Sequence, residues 1–299
     1  MSARASGRAV AVTPALLRKW PLPQPGTDAD KEDRGIAMVI GGASQVPGAL
    51  ALAGIAALRA GAGKLQIGAP ASAAIPLGVA IPEARIFALP ENGDGYLDGK
   101  AGLAAAQCVG QVSAVLIGPG MLNEDAIRDF IGALIPSVSR RPVVLDAAAL
   151  TGLREHAHEF DNDTPAVLTP NVPEMARLAH VTTAAVEADP RNFAQQISKK
   201  CNAVVALKGS ETFIATPAGE LYRYSAGDVG LATSGSGDIL AGVIVGLLAR
   251  GADPDQAAVW GVWLHGEAGN RLKKKIGPIG FLARELSGEI PALMGALAS

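Results

Sequence analysis

The chain has 299 residues, 49% of them hydrophobic and only 4% aromatic, with a formal net charge of −2. That length allows one large domain or two smaller ones, and the near-neutral balance provides no general attraction to nucleic acid. Cys108 and Cys201 lie far apart without metal-ligand or redox spacing, so a reducing compartment is the default. The longest uncharged apolar run, Ile239 to Ala249, is shorter than the ~20 residues needed to cross a bilayer.

Residues 1–34 read as an N-terminal arm and linker, because Pro14, Pro21, Pro23 and Pro25 break any amphipathic targeting helix there. Ile36 to Ile40, closed by Gly41-Gly42, has the unbroken apolar character of a strand buried on both faces. Gly48 to Ala60 reads as a helix ended by Gly61, and Lys64 to Ile67 as a second strand. Ala71 to Gly99, rich in Pro and Gly, is expected to be mostly loops and short strands. Helices are then predicted over Ala101 to Val109, Glu124 to Ile135, Glu174 to Ala179 and Phe193 to Lys200. They alternate with buried strands at Ala114 to Ile117, Pro142 to Leu145, Ala166 to Leu168 and Ala203 to Leu207. Such βα alternation predicts an α/β fold with a mostly parallel sheet between helical layers. Thr212 to Thr216 and Glu220 to Tyr224 form a hairpin, followed by helices over Ile239 to Ala249, over Gln256 to Leu272 and from Gly280 onward. The basic run Arg271 to Lys275 reads as a solvated helix end.

In a doubly wound sheet, ligands bind beyond the carboxyl ends of the strands. Those ends carry Gly41-Gly42-Ala43-Ser44, Gly118-Pro119-Gly120, Asp146, Thr169-Pro170-Asn171 and Lys208-Gly209-Ser210-Glu211-Thr212, a set suited to a phosphorylated ligand. Asp146 is equally a cap for a helix starting at Ala147, and His265 reads as a satisfied core histidine. The remaining histidines, His156, His158 and His180, are scattered, and no cluster has zinc spacing. Gly230 to Asp238 is a small-residue loop leading into an apolar helix, where unpaired amides and the helix dipole favour an anion. On the residues alone, Asp238 is either a helix-capping acid or a catalytic one.

Gly42-Ala43-Ser44, Gly48-Ala49, Ala56 to Gly63, Gly118-Pro119-Gly120, Leu168 to Asn171 with Glu174 to Leu178, Leu207-Lys208-Gly209 with Thr212, and Leu231 to Asp238 occur in one order. In that order they resemble the ADP/ATP-dependent NAD(P)H-hydrate dehydratases, over roughly residues 31–292. The resemblance implies a ribokinase-like three-layer sandwich over residues 35–299. Ala49, Gly120 and Asn171 match substrate contacts; Lys208, Gly209, Ser210, Glu211, Thr212 and Gly237 match the adenine-nucleotide site; Gly235, Ser236 and Gly237 match the phosphate loop; and Asp238 matches the acid at the reacting hydroxyl. It further implies ADP or ATP as phosphoryl donor, Mg2+ with unassigned protein ligands, and NADHX or NADPHX as substrate. A cytoplasmic homo-oligomer, a tetramer among its possible forms, is implied as well. An epimerase fused in many members finds no room in 34 residues of arm, so a separate one is expected. Asn171, Asp228-Val229 and Ser234 depart from His, Asn-Pro and Gly in many members.

The chemistry that follows is phosphorylation of the ring hydroxyl to make a leaving group, then expulsion of phosphate. Asp238 accepts the proton, with the ordinary carboxylate pKa near 4 expected for it. The alternatives are a kinase of hydroxyethylthiazole or a pyridoxal-like alcohol on the same fold, and a catalytically silent nucleotide-binding module. The Gly42 to Gly63 block favours the dehydratase over the kinase, and Asp238 with its complete loop argues against the silent module.

Overall fold

Short strands made almost wholly of Val, Ile, Leu and Ala must be covered on both faces, and the chain supplies helices on each side. The computed structural model describes residues 9–26, 28, 30–156 and 164–298. His158 therefore lies outside the described residues. The strands are β1 (Val10–Ala11), β2 (Ile36–Ile40), β3 (Lys64–Pro70), β4 (Ala84–Leu89), β5 (Ala114–Ile117), β6 (Val143–Leu145), β7 (Val167–Leu168), β8 (Val204–Leu207), β9 (Thr212–Ala215) and β10 (Leu221–Tyr224). They form one ten-stranded sheet in the order β1-β10-β9-β8-β7-β6-β5-β2-β3-β4. Only β9 runs against its neighbours.

One face carries α1 (Pro14–Lys19), α2 (Gly48–Arg59), α3 (Ala71–Ala80), α10 (Ser236–Ala249), α11 (Pro254–Lys275) and α12 (Ala283–Ala298). The other carries α4 (Gly99–Cys108), α5 (Glu124–Val138), α6 (Ala149–His156), α7 (Val172–Ala179), α8 (Thr183–Ala188) and α9 (Pro190–Cys201). Alternation along β2 shows the division: Val39 packs with the first layer, Met38 and Ile40 with the second. This is the three-layer α/β sandwich. Among the described residues no helix is long and apolar enough to cross a membrane.

Two stretches depart from the sequence expectation. Ala71 to Gly99 contains a helix and a strand, since Ala71, Ala73, Ala74 and Leu77 outweigh Pro76 and Gly78, and β4 completes the sheet edge. The described part of the expected arm is built into the fold. β1 pairs with β10, and Leu17 of α1 is fully buried, with Leu16 N–H donating to the Thr13 hydroxyl at the helix start. Trp20 stacks on Tyr222 at 6.2 Å between ring centres, and Trp260 donates to its carbonyl. The prolines that rule out a long helix leave room for a short one, with Pro14 in its first turn.

α10 carries the loop singled out above, and its position is set by close contact with α2. A Cβ on Gly242 would stand 2.2 Å from the Ala53 carbonyl oxygen, and one on Gly246 2.4 Å from that of Ala57. Gly242→Ala must push two buried helices apart and is expected to cost ~3 kcal/mol. Gly288→Ala, in open space on α12, is expected to stabilise by ~0.5–1 kcal/mol. Chemical denaturation of the two variants measures the contrast; equal stabilities would contradict the close-packing account.

Candidate active site

Strand ends β2, β5, β6, β7 and β8 meet on one side of the sheet. Gly42 N–H donates to the Pro119 carbonyl at 2.7 Å. Gly120 has φ +69°, and a Cβ on it would lie 3.0 Å from Ala49 Cβ and 3.3 Å from Gly42 Cα. Gly42, Ala49 and Gly120 thus form one close-packed floor at the β2 and β5 ends. A side chain there would close it.

The end of β6 does not behave as a helix cap. Asp146 is 2% exposed, and its carboxylate accepts from Thr169 Oγ1 at 2.7 Å and from Lys208 Nζ at 3.0 Å. α6 begins at Ala149, so the capping alternative is set aside. Asn171 caps α7 reciprocally with Glu174: Glu174 N–H donates to Asn171 Oδ1 at 2.9 Å, and Asn171 N–H donates to the Glu174 carboxylate at 2.8 Å. Lys208 N–H donates to the Pro170 carbonyl, tying the β7 and β8 ends together.

Gly235 takes φ +87° as the N-cap of α10, and a Cβ on it would lie 2.4 Å from Leu52 of α2. Only glycine makes this turn without strain. Ser236 and Gly237 follow, and a Cβ on Gly237 would lie 3.2 Å from Lys208 Nζ, so the lysine reaches the loop. Asp238 stands on the first turn. The ordinary pKa expected for it does not hold: it is pushed up to about 7, chiefly by burial, with Asp146 and Glu174 adding and Lys208 opposing. Burial also raises Glu174, against the pull of Lys208. For Lys208, burial pulls downward, but Asp146, Glu174 and Asp238 outweigh it and hold the ammonium above its ordinary value. One lysine therefore serves three carboxylates.

A cleft of about 770 Å³ opens beside this group, lined among others by Asn171, Lys208, Thr212, Ser236, Gly237 and His265; Asp146, Glu174 and Asp238 lie outside the lining, behind Lys208 and Gly237. Gly209 and Ser210 also line it, whereas Glu211 pairs with Arg223 at 3.4 Å. Ala49 and Gly120 lie outside the lining, joined to the loop through α2, whose Leu52 meets Gly235. His265, expected as a core residue, faces the cleft. Ser234 is exposed, and Asp228 accepts from Gly230 N–H and Lys273 Nζ, fixing the loop's approach. The basic run lies in the last turns of α11, where Lys275 pairs with Glu289. Two features escaped the sequence reading, the Asp146–Thr169–Lys208 bonds and the place of His265. The first had a signal, since polar residues interrupt the chain at the ends of apolar strands; the second had none.

A sandwich of this topology, with a glycine loop opening a helix N-terminus and a half-buried acid on its first turn, defines a ribokinase-like enzyme that handles phosphoryl groups. The chain belongs to the NAD(P)H-hydrate dehydratase family, which it matches over residues 37–292. It is 46% identical over 288 residues to the ADP-dependent (S)-NAD(P)H-hydrate dehydratase of Xanthomonas campestris pv. campestris, covering 96% of both chains. It is 35% identical to a bifunctional NAD(P)H-hydrate repair enzyme of Moorella thermoacetica, of which it spans 52%. The fold is similar to that of the ADP/ATP-dependent NAD(P)H-hydrate dehydratase from Bacillus subtilis co-crystallised with ATP/Mg2+. That comparison gives a TM-score of 0.81 at 28% identity, over 97% of this chain and 99% of that one.

Proposed function

We propose that this protein uses ADP or ATP to dehydrate the S-epimer of NADHX or NADPHX to NADH or NADPH. The observation that carries the reading is Asp238, a carboxylate with its pKa near neutrality on the first turn of α10, directly behind the Gly235–Gly237 loop and beside Lys208. The ring's C6 hydroxyl oxygen attacks the terminal phosphorus of the donor, the bond to the leaving nucleotide breaks, and Asp238 takes the hydroxyl proton. The Gly235 and Gly237 amides, the Ser236 hydroxyl and Lys208 hold the charge on the phosphoryl oxygens, while the Ser236 N–H donates to the Thr233 carbonyl at 3.2 Å. The ring nitrogen's lone pair then expels phosphate from C6, and loss of a proton from C5 restores the double bond.

Ala49, Gly120 and Asn171 are assigned to the dinucleotide, and Lys208 to Thr212 with Gly237 to the donor. Among the described residues no group of three or more His, Cys, Asp or Glu could hold a metal ion. Mg2+ would arrive with the nucleotide and would neutralise the charge of its phosphates. We take residues 35–299 as the catalytic domain, with β1 and α1 of the preceding segment packed onto it, and the protein as a cytoplasmic homo-oligomer. An epimerase activity is the partner reaction that would supply the S-epimer.

The raised pKa sets the pH dependence. Asp238 accepts a proton only when ionised, so kcat/KM falls tenfold per pH unit below about 7 and levels off above it. A limb near pH 4 would show that burial does not set the base. The function itself is tested by supplying NADHX with Mg2+ and ADP or ATP and following the NADH absorbance band. Recovery of NADH with a donor and none without it is the expected result; no recovery with either donor would refute the reading.

A further inference from the structure

Ser236 opens α10, and its hydroxyl lies 2.9 Å from Nε2 of His265 on α11. Both side chains line the cleft, and Ser236 is 5% exposed. The contact is held from both sides. A Cβ on Gly266 would stand 2.2 Å from the Tyr224 ring, and the Tyr224 hydroxyl donates to Glu267 at 2.9 Å, so α11 can neither turn nor slide without breaking this packing.

A hydroxyl has one proton, and a phosphate oxygen at this loop can only accept. Ser236 therefore serves the phosphoryl group only by donating, and its own oxygen must then accept from the imidazole. Burial keeps that ring neutral, with its pKa lowered to about 4, and the Lys208 charge pushes the same way against a bond to Ser236. A neutral ring has one N–H, and its placement on Nε2 decides which way Ser236 points.

We propose that His265 is a positioning residue: its Nε2–H donates to Ser236 Oγ and turns the Ser236 hydroxyl toward the transferring phosphoryl group. The serine thereby becomes a side-chain donor beside the Gly235 and Gly237 amides. This rests on the dehydratase reading, because the phosphoryl group is the one that reaction moves.

The test compares Ser236→Ala, His265→Leu, the double variant and His265→Gln in NADHX dehydration with ADP, with ADP binding measured by calorimetry. Each of the first two is expected to lower kcat ~10- to 100-fold, with the ADP Kd within ~3-fold of wild type. The double variant should be no slower than the worse single. His265→Gln, whose side-chain amide can also donate, should recover kcat to within ~5-fold of wild type. Ser236→Ala and His265→Gln change the packing least, so if His265→Leu fails to fold, a slow Ser236→Ala beside a near-normal His265→Gln still supports the assignment. Wild-type turnover in Ser236→Ala, losses that multiply in the double variant, or a His265→Gln as slow as Ser236→Ala would overturn it. An inert wild-type protein would overturn the dehydratase reading itself, whereas those three results in an active enzyme overturn the His265 role alone.

Discussion

Asp238→Asn is expected to lower kcat by about 10³-fold while ADP binding stays within ~3-fold. The amide matches the carboxylate in size and leaves the Gly235–Gly237 loop intact, but it cannot take the hydroxyl proton. The same substitution should stabilise the fold. Asp238 in the native state holds its proton up to about pH 7 against an ordinary 3.8, so between those values the folded protein binds more protons than the unfolded chain. Stability therefore falls as pH rises through that window, because an ionised carboxylate is held in a half-buried site. Asparagine removes that cost. Its unfolding free energy should exceed the wild-type value above pH 7 by on the order of a few kcal/mol, read as a higher melting temperature, and match it below pH 4. Equal melting curves at both pH values, or retained turnover, would contradict the account.

Lys208→Met is the second large effect. It leaves Asp146, Glu174 and Asp238 without their shared cation, and Asp146 is almost wholly buried. A loss of about 3 kcal/mol in stability is expected, since removing one partner strands a buried charge. kcat/KM should fall ~10²-fold or more, and the acidic limb of the pH profile should move to higher pH as Asp238 loses the opposing charge of Lys208. Adding Asp146→Leu removes the stranded charge and should restore stability to within ~1 kcal/mol without restoring activity. Denaturant melts and pH–rate profiles of the single and double variants separate the two roles. A double variant as unstable as the single would show that Lys208 does not act through Asp146.

The layered α/β plan was legible because strands such as Ala114–Ile117 are unbroken apolar runs and their helices follow at βα spacing. Ala71 to Gly99 was misread because Pro76 and Gly78 weigh against a helix locally, whereas packing of Ala73 and Leu77 against the sheet decides it. The arm failed for a related reason, since nothing local marks Val10–Ala11 as a partner for β10. At the site, the phosphate loop and Asp238 could be read because helix N-termini have a local signature. Protonation could not, because the pKa of Asp238 depends first on its burial and then on Asp146, Lys208 and Glu174, which are brought together from three other strand ends. His265 stayed hidden because an apolar helix gives no sign of which turn faces a cleft.

Phosphorylation of the ring hydroxyl before elimination is the step on which everything else rests. It is tested most directly by turning over NADHX labelled with oxygen-18 at the C6 hydroxyl, with ADP as donor, and finding where the label goes. The account predicts oxygen-18 in inorganic phosphate, because the hydroxyl oxygen leaves bonded to phosphorus. Label recovered in water would contradict it.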